Sequence, residues 1–168
     1  KGGAYSPFYA DIYLLVNWAE DGVEIRNFYD PVTGRLSSRP QNTDFYFRPG
    51  LTWPKRGWNF SAQAVAESTI FSSGGMMAFC PVPTLVLTLS IFNSQPFNQL
   101  IKLLDAAARP QMQAGLINRL PFPDIDAETG DQLAALAHRA WSLKRTLDTI
   151  TETSHAFYLP EVLRDRMG

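Results

Sequence analysis

Residues 45–60, FYFRPGLTWPKRGWNF, bring together aromatic rings, glycines, prolines and three cations. Pro49-Gly50 and Trp53-Pro54 predict turns rather than the middle of a helix, because proline has no amide hydrogen to donate. Cations on a turn-built, aromatic-lined surface suit phosphates and the edges of bases. The same composition also describes a packed loop with solvated cations, and both interpretations stay open at this point.

The composition of the whole chain sets limits on its class. The 168 residues are 45% hydrophobic and 18% charged, which predicts one folded domain or a domain with an appendage. The net charge is -1, so a nucleic-acid site has to be a local patch. The single cysteine, Cys80, excludes an internal disulfide and a multi-cysteine zinc site, and its apolar neighbours predict a buried side chain.

Targeting signals are missing from the sequence as given. No apolar run reaches the length of a membrane span and no signal peptide opens the chain, so we expect a cytoplasmic protein. The start at Lys1, without a methionine, indicates either the interior of a longer polypeptide or an artificial boundary.

The first half of the chain carries strand signals. Residues 12–18 and 23–28 flank the turn Glu20-Asp21-Gly22 and predict a hairpin. Residues 85–92 fit either a buried strand or the first turns of a helix. Three further short strands are predicted at residues 45–47, 63–71 and 76–80, with residues 72–75 joining the last two.

The second half carries helix signals. Asn93-Ser94 suits a helix cap with Pro96 in the first turn, and residues 97–108 have apolar side chains at helical spacing. The longest helix is predicted to open at residues 129–131. Residues 116–123 predict a short edge strand, and Pro160 a last short helix. The apolar stripe of the longest helix comprises Leu133, Leu136, Ala137, Ala140, Leu143, Leu147 and Ile150.

These signals predict an α+β fold with a β-rich N-terminal half and a helical C-terminal half. We expect a boundary between residues 1–123 and a helical segment, residues 124–168.

Groups of residues that are typical of catalytic sites are scarce in the sequence. The sequence contains no nucleophile elbow, phosphate-binding loop or dinucleotide fingerprint, and no Asp-Pro-Pro-Tyr or Asn-Pro-Pro-Tyr. His138 lies on the polar face of the longest helix, so we expect its side chain to be solvated. His155 follows that helix, so we expect it to cap or pack against the helix end. The acidic residues at 124–131 suit the positive end of a helix dipole better than a metal. We therefore expect no metal site and no enzyme activity in this chain alone.

Seven stretches of the chain share a resemblance to one group of proteins. The first four are KGGAYSPFYAD (1–11), NW (17–18), SRPQN (38–42) and YFRPGLTWP (46–54), and the later three are LSIFNSQPF (89–97), GLINRLPFP (115–123) and residues 134–159. Together they resemble the region downstream of the catalytic domain in large bacterial adenine-N6 DNA methyltransferases, namely fused restriction-modification enzymes and phage-exclusion (BREX-type) methyltransferases. Within that region LSIFNSQPF resembles a helix start, GLINRLPFP the end of a TaqI-like target-recognition domain, and residues 134–159 the helix after it. The chain departs from the family in a shorter basic segment after Trp53-Pro54, and in a Ser-Ser-Gly-Gly turn where relatives often carry a lysine.

The resemblance implies a target-recognition domain that binds double-stranded DNA and selects the sequence to be methylated. It implies no cofactor in this chain, with S-adenosylmethionine bound by an upstream methyltransferase domain that would be the protein partner. Arg48, Lys55 and Arg56 are then expected to contact phosphates or guanine. The remaining expected contacts are Arg35, Arg39, Asn42, Thr52, Trp58, Asn59, Ser72 and Ser73, whereas Trp53 is expected to anchor the loop in the core.

A competing hypothesis is a protein-interaction module. In that case the amphipathic helix over residues 132–150 packs on another subunit or domain, and the basic loop is incidental. An independent small enzyme is a third hypothesis, and the missing constellations argue against it.

Overall fold

The computed structural model describes residues 4–104 and 111–158. Its regular elements are three strands that all precede residue 79, one short helix before them and four helices after them, in agreement with the predicted α+β class. They are α1 (Ala19–Arg26), β1 (Gly50–Pro54), β2 (Gln63–Val65), β3 (Gly75–Ala78), α2 (Val82–Phe92), α3 (Gln95–Leu104), α4 (Ala114–Ile117) and α5 (Ala127–Asp148), with a 3-10 turn at Thr43–Phe45.

The strands form one antiparallel sheet in the order β2-β1-β3. In the register, Leu51 lies opposite Ala64 and Ala78, and Pro54 lies opposite Gly75. The prediction of a turn at Trp53-Pro54 is therefore wrong. Proline is tolerated there because β2 pairs only with Gly50, Leu51 and Thr52, so β2 does not extend to Pro54.

Three of the strand predictions also need correction. Residues 45–47 form no strand, since the 3-10 turn Thr43–Phe45 occupies that position. The predicted strands at 63–71 and 76–80 are present only as β2 and β3, and both pair with β1 rather than with each other. Residues 116–117 belong to helix α4, not to an edge strand.

The predicted N-terminal hairpin is wrong, although its turn is present. Residues 10–18 have no regular structure, and α1 occupies most of the second predicted strand. Glu20, Asp21 and Gly22 have φ values of 50°, 57° and 73°, which is the left-handed region. Gly22 also lies against Trp18, because a Cβ atom at this position would be 2.8 Å from that ring. The apolar run that predicted a strand thus ends in a glycine-dependent turn.

The hydrophobic core lies between the sheet and helices α2 and α3. Leu51 and Trp53 of β1 are fully buried, and the indole Nε1–H of Trp53 donates a 2.7 Å hydrogen bond to the Met112 carbonyl. Phe92 and Phe97 stack with ring centroids 4.8 Å apart. The prediction that Trp53 anchors its segment in the core is confirmed. Cys80 is only partly buried, but it packs against the same core.

The junction of α2 and α3 is closed by side-chain amide and hydroxyl groups. The amide of Asn93 makes two 2.9 Å bonds to Ala62, accepting from its N–H and donating to its carbonyl. The hydroxyl of Ser94 accepts a 3.3 Å bond from the Phe97 N–H, so the predicted cap is present. Residues 85–92, whose sequence fits either a strand or a helix, are helical and belong to α2. The predictions at Ala108 and Pro160 lie outside the described residues.

Helix α5 packs against α2 through its small residues and begins two residues earlier than predicted. Its N-cap is Asp126, whose carboxylate accepts a 2.9 Å bond from the Thr129 N–H. The predicted apolar stripe is divided, because Ala137 is buried while Leu136, Leu143 and Leu147 are exposed. The N-terminal segment is attached to this helix by Lys144, whose ammonium donates to the Ser6 hydroxyl and to the Pro7 carbonyl.

Candidate nucleic-acid interface

Six aromatic rings form a partly exposed cluster next to the sheet. Its ring centroids are separated by 5.0 Å between Trp18 and Tyr46 and by 5.2 Å between Tyr46 and Phe71. The contacts continue to Phe79 at 5.8 Å and from there to Phe45 at 5.3 Å. Phe47 completes this aromatic cluster at 6.5 Å from Trp18. The cluster forms a rigid platform because each ring contacts at least one other ring.

An arginine stacks at each end of the aromatic cluster. The guanidinium of Arg26 lies 5.5 Å from the centroid of Trp18, and that of Arg48 lies 5.2 Å from the centroid of Phe45. Arg26 also pairs with the Asp21 carboxylate at 3.3 Å. Cation–π contacts of this kind hold a guanidinium in place, and the Arg26 Nε–H and Nη2–H groups also donate to the Asp21 carbonyl and carboxylate.

Two left-handed residues shape the segment that carries these rings. Asn42 has φ 56° and precedes the 3-10 turn, and Phe47 has φ 59°. The N–H of Phe47 donates a 3.0 Å bond to the Thr69 carbonyl, which fixes the segment next to the residues after β2. Asparagine tolerates the left-handed region better than most residues, so Asn42 suits its position.

A groove of about 660 Å³ runs beside the aromatic cluster and is lined by residues 38–42, 70–73 and parts of α1 and β3. It brings together four of the residues predicted to contact DNA, in two pairs that are at least thirty positions apart in the sequence. These are Arg39, Asn42, Ser72 and Ser73, and all four are exposed. Trp18, Tyr46 and Phe71 line the same groove, so its wall is part of the aromatic cluster.

The turn before β3 presents its serines to this groove. The Gly75 N–H donates a 3.0 Å bond to the Ser72 carbonyl, and the Gly74 N–H donates a 3.3 Å bond to the Ser72 hydroxyl. These bonds hold the turn in a tight conformation. The exposed Ser73 side chain adds a donor and acceptor at the rim.

A second patch, which is joined to the same turn, consists of Lys55, Arg56, Trp58 and Asn59. The Lys55 N–H donates a 3.3 Å bond to the Gly74 carbonyl, and the Lys55 carbonyl accepts a 2.8 Å bond from Met112. Arg56 is exposed and its backbone bridges to Gln111. Trp58 is 74% exposed, so it lies outside the core, unlike Trp53.

Asn59 completes this second patch through a cation that the sequence reasoning missed. Its side-chain oxygen accepts a 2.8 Å bond from the Lys102 ammonium of α3. Lys102 is 43 positions away, and no spacing pattern connects the two residues. Arg26 was missed for a related reason, because the predicted hairpin placed it on a strand.

Thr52 and Arg35 lie outside both groups. Thr52 is half-buried in β1, and its hydroxyl donates a 2.8 Å bond to the Met76 carbonyl. Arg35 is exposed in the turn after Asp30, where its carbonyl accepts a 2.8 Å bond from the Asp30 N–H. The structure therefore does not place them with the groove residues.

The phenol of Tyr46 in the groove wall is half-buried. Burial raises the pKa of Tyr46 above its ordinary value of 10.0, and the nearby positive charge of Arg26 offsets part of this effect. At neutral pH the Tyr46 hydroxyl therefore acts as a neutral donor and acceptor.

The two histidines have different surroundings in the part of the chain that the structure describes. The described residues contain no group of three or more His, Cys, Asp and Glu side chains placed to hold a metal ion. His138 is exposed, as predicted. The Nδ1 of His155 lies 3.3 Å from the Asp11 carboxylate, a contact across 144 positions that the sequence could not reveal. Among the helices of the described residues, none is long and apolar enough to cross a membrane.

Comparison with known proteins supports part of the resemblance. No family model matches the chain. Over 124 residues the chain is 33% identical to the adenine-specific methyltransferase PglX of Lacticaseibacillus casei (strain Zhang). The aligned residues are 73% of this chain and 10% of that protein, so the chain spans about a tenth of the curated relative it matches. The chain is thus related to a region of a bacterial adenine-specific methyltransferase.

Proposed function

We propose that this chain is a DNA-recognition region of an adenine-specific DNA methyltransferase and selects the sequence to be methylated without catalysing the transfer. The observation that carries the proposal is the groove, because it brings Arg39, Asn42, Ser72 and Ser73 together beside the aromatic cluster. The similarity to a methyltransferase over 73% of the chain supports the same reading.

Each group in the groove has a chemical role in this proposal. Arg39 supplies a positive charge and a forked donor for a phosphate or for the O6 and N7 atoms of guanine. Asn42 carries an amide, the group that pairs with the N6 and N7 atoms of adenine. The serine hydroxyls and the Ser72–Gly75 turn bring small donors close to the sugar-phosphate backbone.

The second patch extends this surface. Arg56 is exposed next to Lys55, whose backbone contacts the turn that carries Ser73. Arg48 is held over Phe45, so its position is restricted before DNA binds. Methyl transfer and S-adenosylmethionine binding then belong to another part of the longer enzyme.

Salt-dependent DNA binding by the full-length methyltransferase tests the proposal. Replacing Arg39 with Gln removes one charge, and we expect the slope of log K against log salt to fall by about 0.9 if that charge neutralises one phosphate. Arg139→Gln is the matched control, because Arg139 is an exposed arginine of α5 that does not line the groove. An unchanged slope, affinity and methylated sequence in the Arg39 variant would contradict the proposal.

A second candidate function is protein interaction through α5. Leu136, Leu143 and Leu147 are 63%, 59% and 67% exposed, and their spacing of seven and four residues places them on one face of the helix. Such a stripe suits packing on another domain or subunit of the methyltransferase. Leu143→Gln is expected to weaken assembly of the full-length protein and leave DNA affinity unchanged. Normal assembly of this variant, measured by sedimentation, argues against the second function.

A further inference from the structure

A second cavity lies on the face of the sheet that points away from the core. The register places Gln63 of β2, Thr52 of β1 and Met77 of β3 in one row across the sheet. The N-terminal segment at residues 10–14 borders this row and leaves a cavity of about 250 Å³, which we name the Gln63 pocket. Most of its other walls are apolar, and they include Ile12, Val65, Ile70 and Phe71.

Gln63 has an unpartnered hydrogen-bond donor in this pocket. Its side chain is buried, with 6% of the residue exposed, and its Nε2 makes no hydrogen bond within the described part of the chain. Buried amide groups are nearly always bonded, because leaving one unpaired costs its full desolvation energy. The neighbouring Thr52 hydroxyl donates its hydrogen to the Met76 carbonyl at 2.8 Å, and it makes no bond with the Gln63 Nε2. The wall of the pocket therefore holds a buried donor that has no acceptor among the described residues.

The charges around the pocket limit the class of ligand. Among the described residues no lysine or arginine lines it, so these residues offer an anionic ligand no countercharge. Asp11, the carboxylate of this described lining, already contacts His155 at 3.3 Å. Phe71 and Tyr13 provide aromatic surface, and the aliphatic side chains provide apolar contacts. An uncharged, flat and partly apolar molecule fits this lining.

We propose that the Gln63 pocket binds an uncharged, flat ring that carries a carbonyl acceptor and has the size of a nucleobase. The ring carbonyl accepts the hydrogen bond from the Gln63 Nε2, and the ring faces contact the aromatic and aliphatic walls. Pockets that hold single bases combine these two features, hydrogen bonds to the ring edge and apolar or aromatic contacts to its faces.

The position of the pocket allows two sources for such a ring. Ile70, Phe71 and Met77 line both the Gln63 pocket and the groove, so the two sites share a wall. A base displaced from DNA in the groove would therefore reach the pocket across these residues. A free nucleoside presents the same chemistry, and this source does not depend on DNA recognition.

Thymidine is a suitable probe, because its ring has two carbonyl groups and no charge. We expect thymidine to shift the side-chain amide resonances of Gln63 in the full chain, while 2-deoxyribose does not. In Gln63→Leu, which removes the donor, we expect at least tenfold weaker thymidine binding and a melting temperature in the absence of ligand that is unchanged or higher. Gln99→Leu is the matched control, since Gln99 is an exposed glutamine of α3 outside the pocket.

Equal thymidine binding by wild type and Gln63→Leu overturns the proposal. If the variant fails to fold, absence of any thymidine-induced shift of the wild-type Gln63 amide overturns it instead. Duplexes with one thymine opposite an abasic site, compared with fully paired duplexes, distinguish the sources. A wild-type preference for the unpaired thymine that Gln63→Leu loses supports a base from DNA, and binding of thymidine without that preference supports a free nucleoside.

Discussion

Replacing Trp53 with Phe tests how the central strand is held in the core. The indole is 2% exposed and contacts Phe60 and Phe92 at centroid distances of 5.6 and 6.2 Å. Its Nε1–H donates to the Met112 carbonyl at 2.7 Å, and the Met112 N–H donates in turn to the Lys55 carbonyl at 2.8 Å. The substitution therefore removes both core volume and a tie between β1 and the segment before α4.

The magnitude follows from these two losses. A buried carbonyl that loses its donor costs about 1–3 kcal/mol. The smaller ring adds about 2 kcal/mol through lost burial and the cavity it leaves. The sum is a loss of about 3–5 kcal/mol in the free energy of unfolding, which corresponds to about 6–20 °C in melting temperature at this chain length.

Urea denaturation followed by circular dichroism measures this loss without relying on the removed fluorophore. Trp58→Phe is the matched control, because Trp58 is 74% exposed and its substitution is expected to change stability by less than about 0.5 kcal/mol. A Trp53→Phe variant within about 1 kcal/mol of wild type would refute the assignment of Trp53 as the anchor of β1.

Two further predictions concern a turn and a helix cap. Gly22→Ala is expected to lower the stability of the chain by more than Gly34→Ala does. Both glycines have positive φ values, 73° and 64°, but only at Gly22 would a Cβ atom meet a ring, that of Trp18 at 2.8 Å. Equal melting temperatures of the two variants would show that the Trp18 contact is unimportant. Hydrogen bonds from the Thr129 N–H and hydroxyl hold the pKa of Asp126 below its ordinary value of 3.8. The stability that this carboxylate contributes is therefore fully present above pH 3.8 and is lost as the pH falls through the lowered pKa. Asp126→Asn is expected to flatten the fall in melting temperature below pH 3.8, and an unchanged acid profile would contradict the cap's role.

The helices were predicted better from the sequence than the strands were. The cap at Asn93-Ser94 and the long final helix follow from local chemistry, since a cap satisfies N–H groups only three residues away. The strand pairings depend on partners far along the chain. Nothing local indicates that Gly50–Pro54 is the central strand, with both of its partners following it in the chain, so Pro49-Gly50 and Trp53-Pro54 predicted turns instead.

Residues 12–18 show the opposite error, because a strand was predicted there and none is formed. Its β-branched and aromatic residues favour a strand, yet no described segment pairs with it as a strand. The left-handed conformation of Glu20, Asp21 and Gly22 turns the chain into α1 instead. Propensity predicted a strand that is not formed, because tertiary contacts decide whether such a segment joins a sheet.

The residues predicted to contact DNA were chosen by residue type, and in the structure they fall into separate groups. Arg39, Asn42, Ser72 and Ser73 share the groove because the 3-10 segment and the turn before β3 meet there. Lys55, Arg56 and Asn59 group with Lys102 instead, through contacts to α3 and to residues 111–112. Charge and spacing alone contain no information on this division, which arises from the order of strands in the sheet.

The near-neutral charge of the chain and its stacked arginines affect how the groove and the second patch would bind DNA. A net charge of -1 supplies little general attraction to phosphates, so any affinity must come from the few cations at the groove and the second patch. Arg26 and Arg48 lie over Trp18 and Phe45, and a guanidinium already held in one place loses less freedom when it binds. We therefore expect this region to contribute more to the choice of sequence than to affinity. Substitution of Phe45 with Leu, which removes the ring under Arg48 and keeps every charge, should then relax the methylated sequence while the salt slope stays unchanged. A variant that keeps the wild-type site preference but loses salt dependence would argue that Arg48 acts only as a charge.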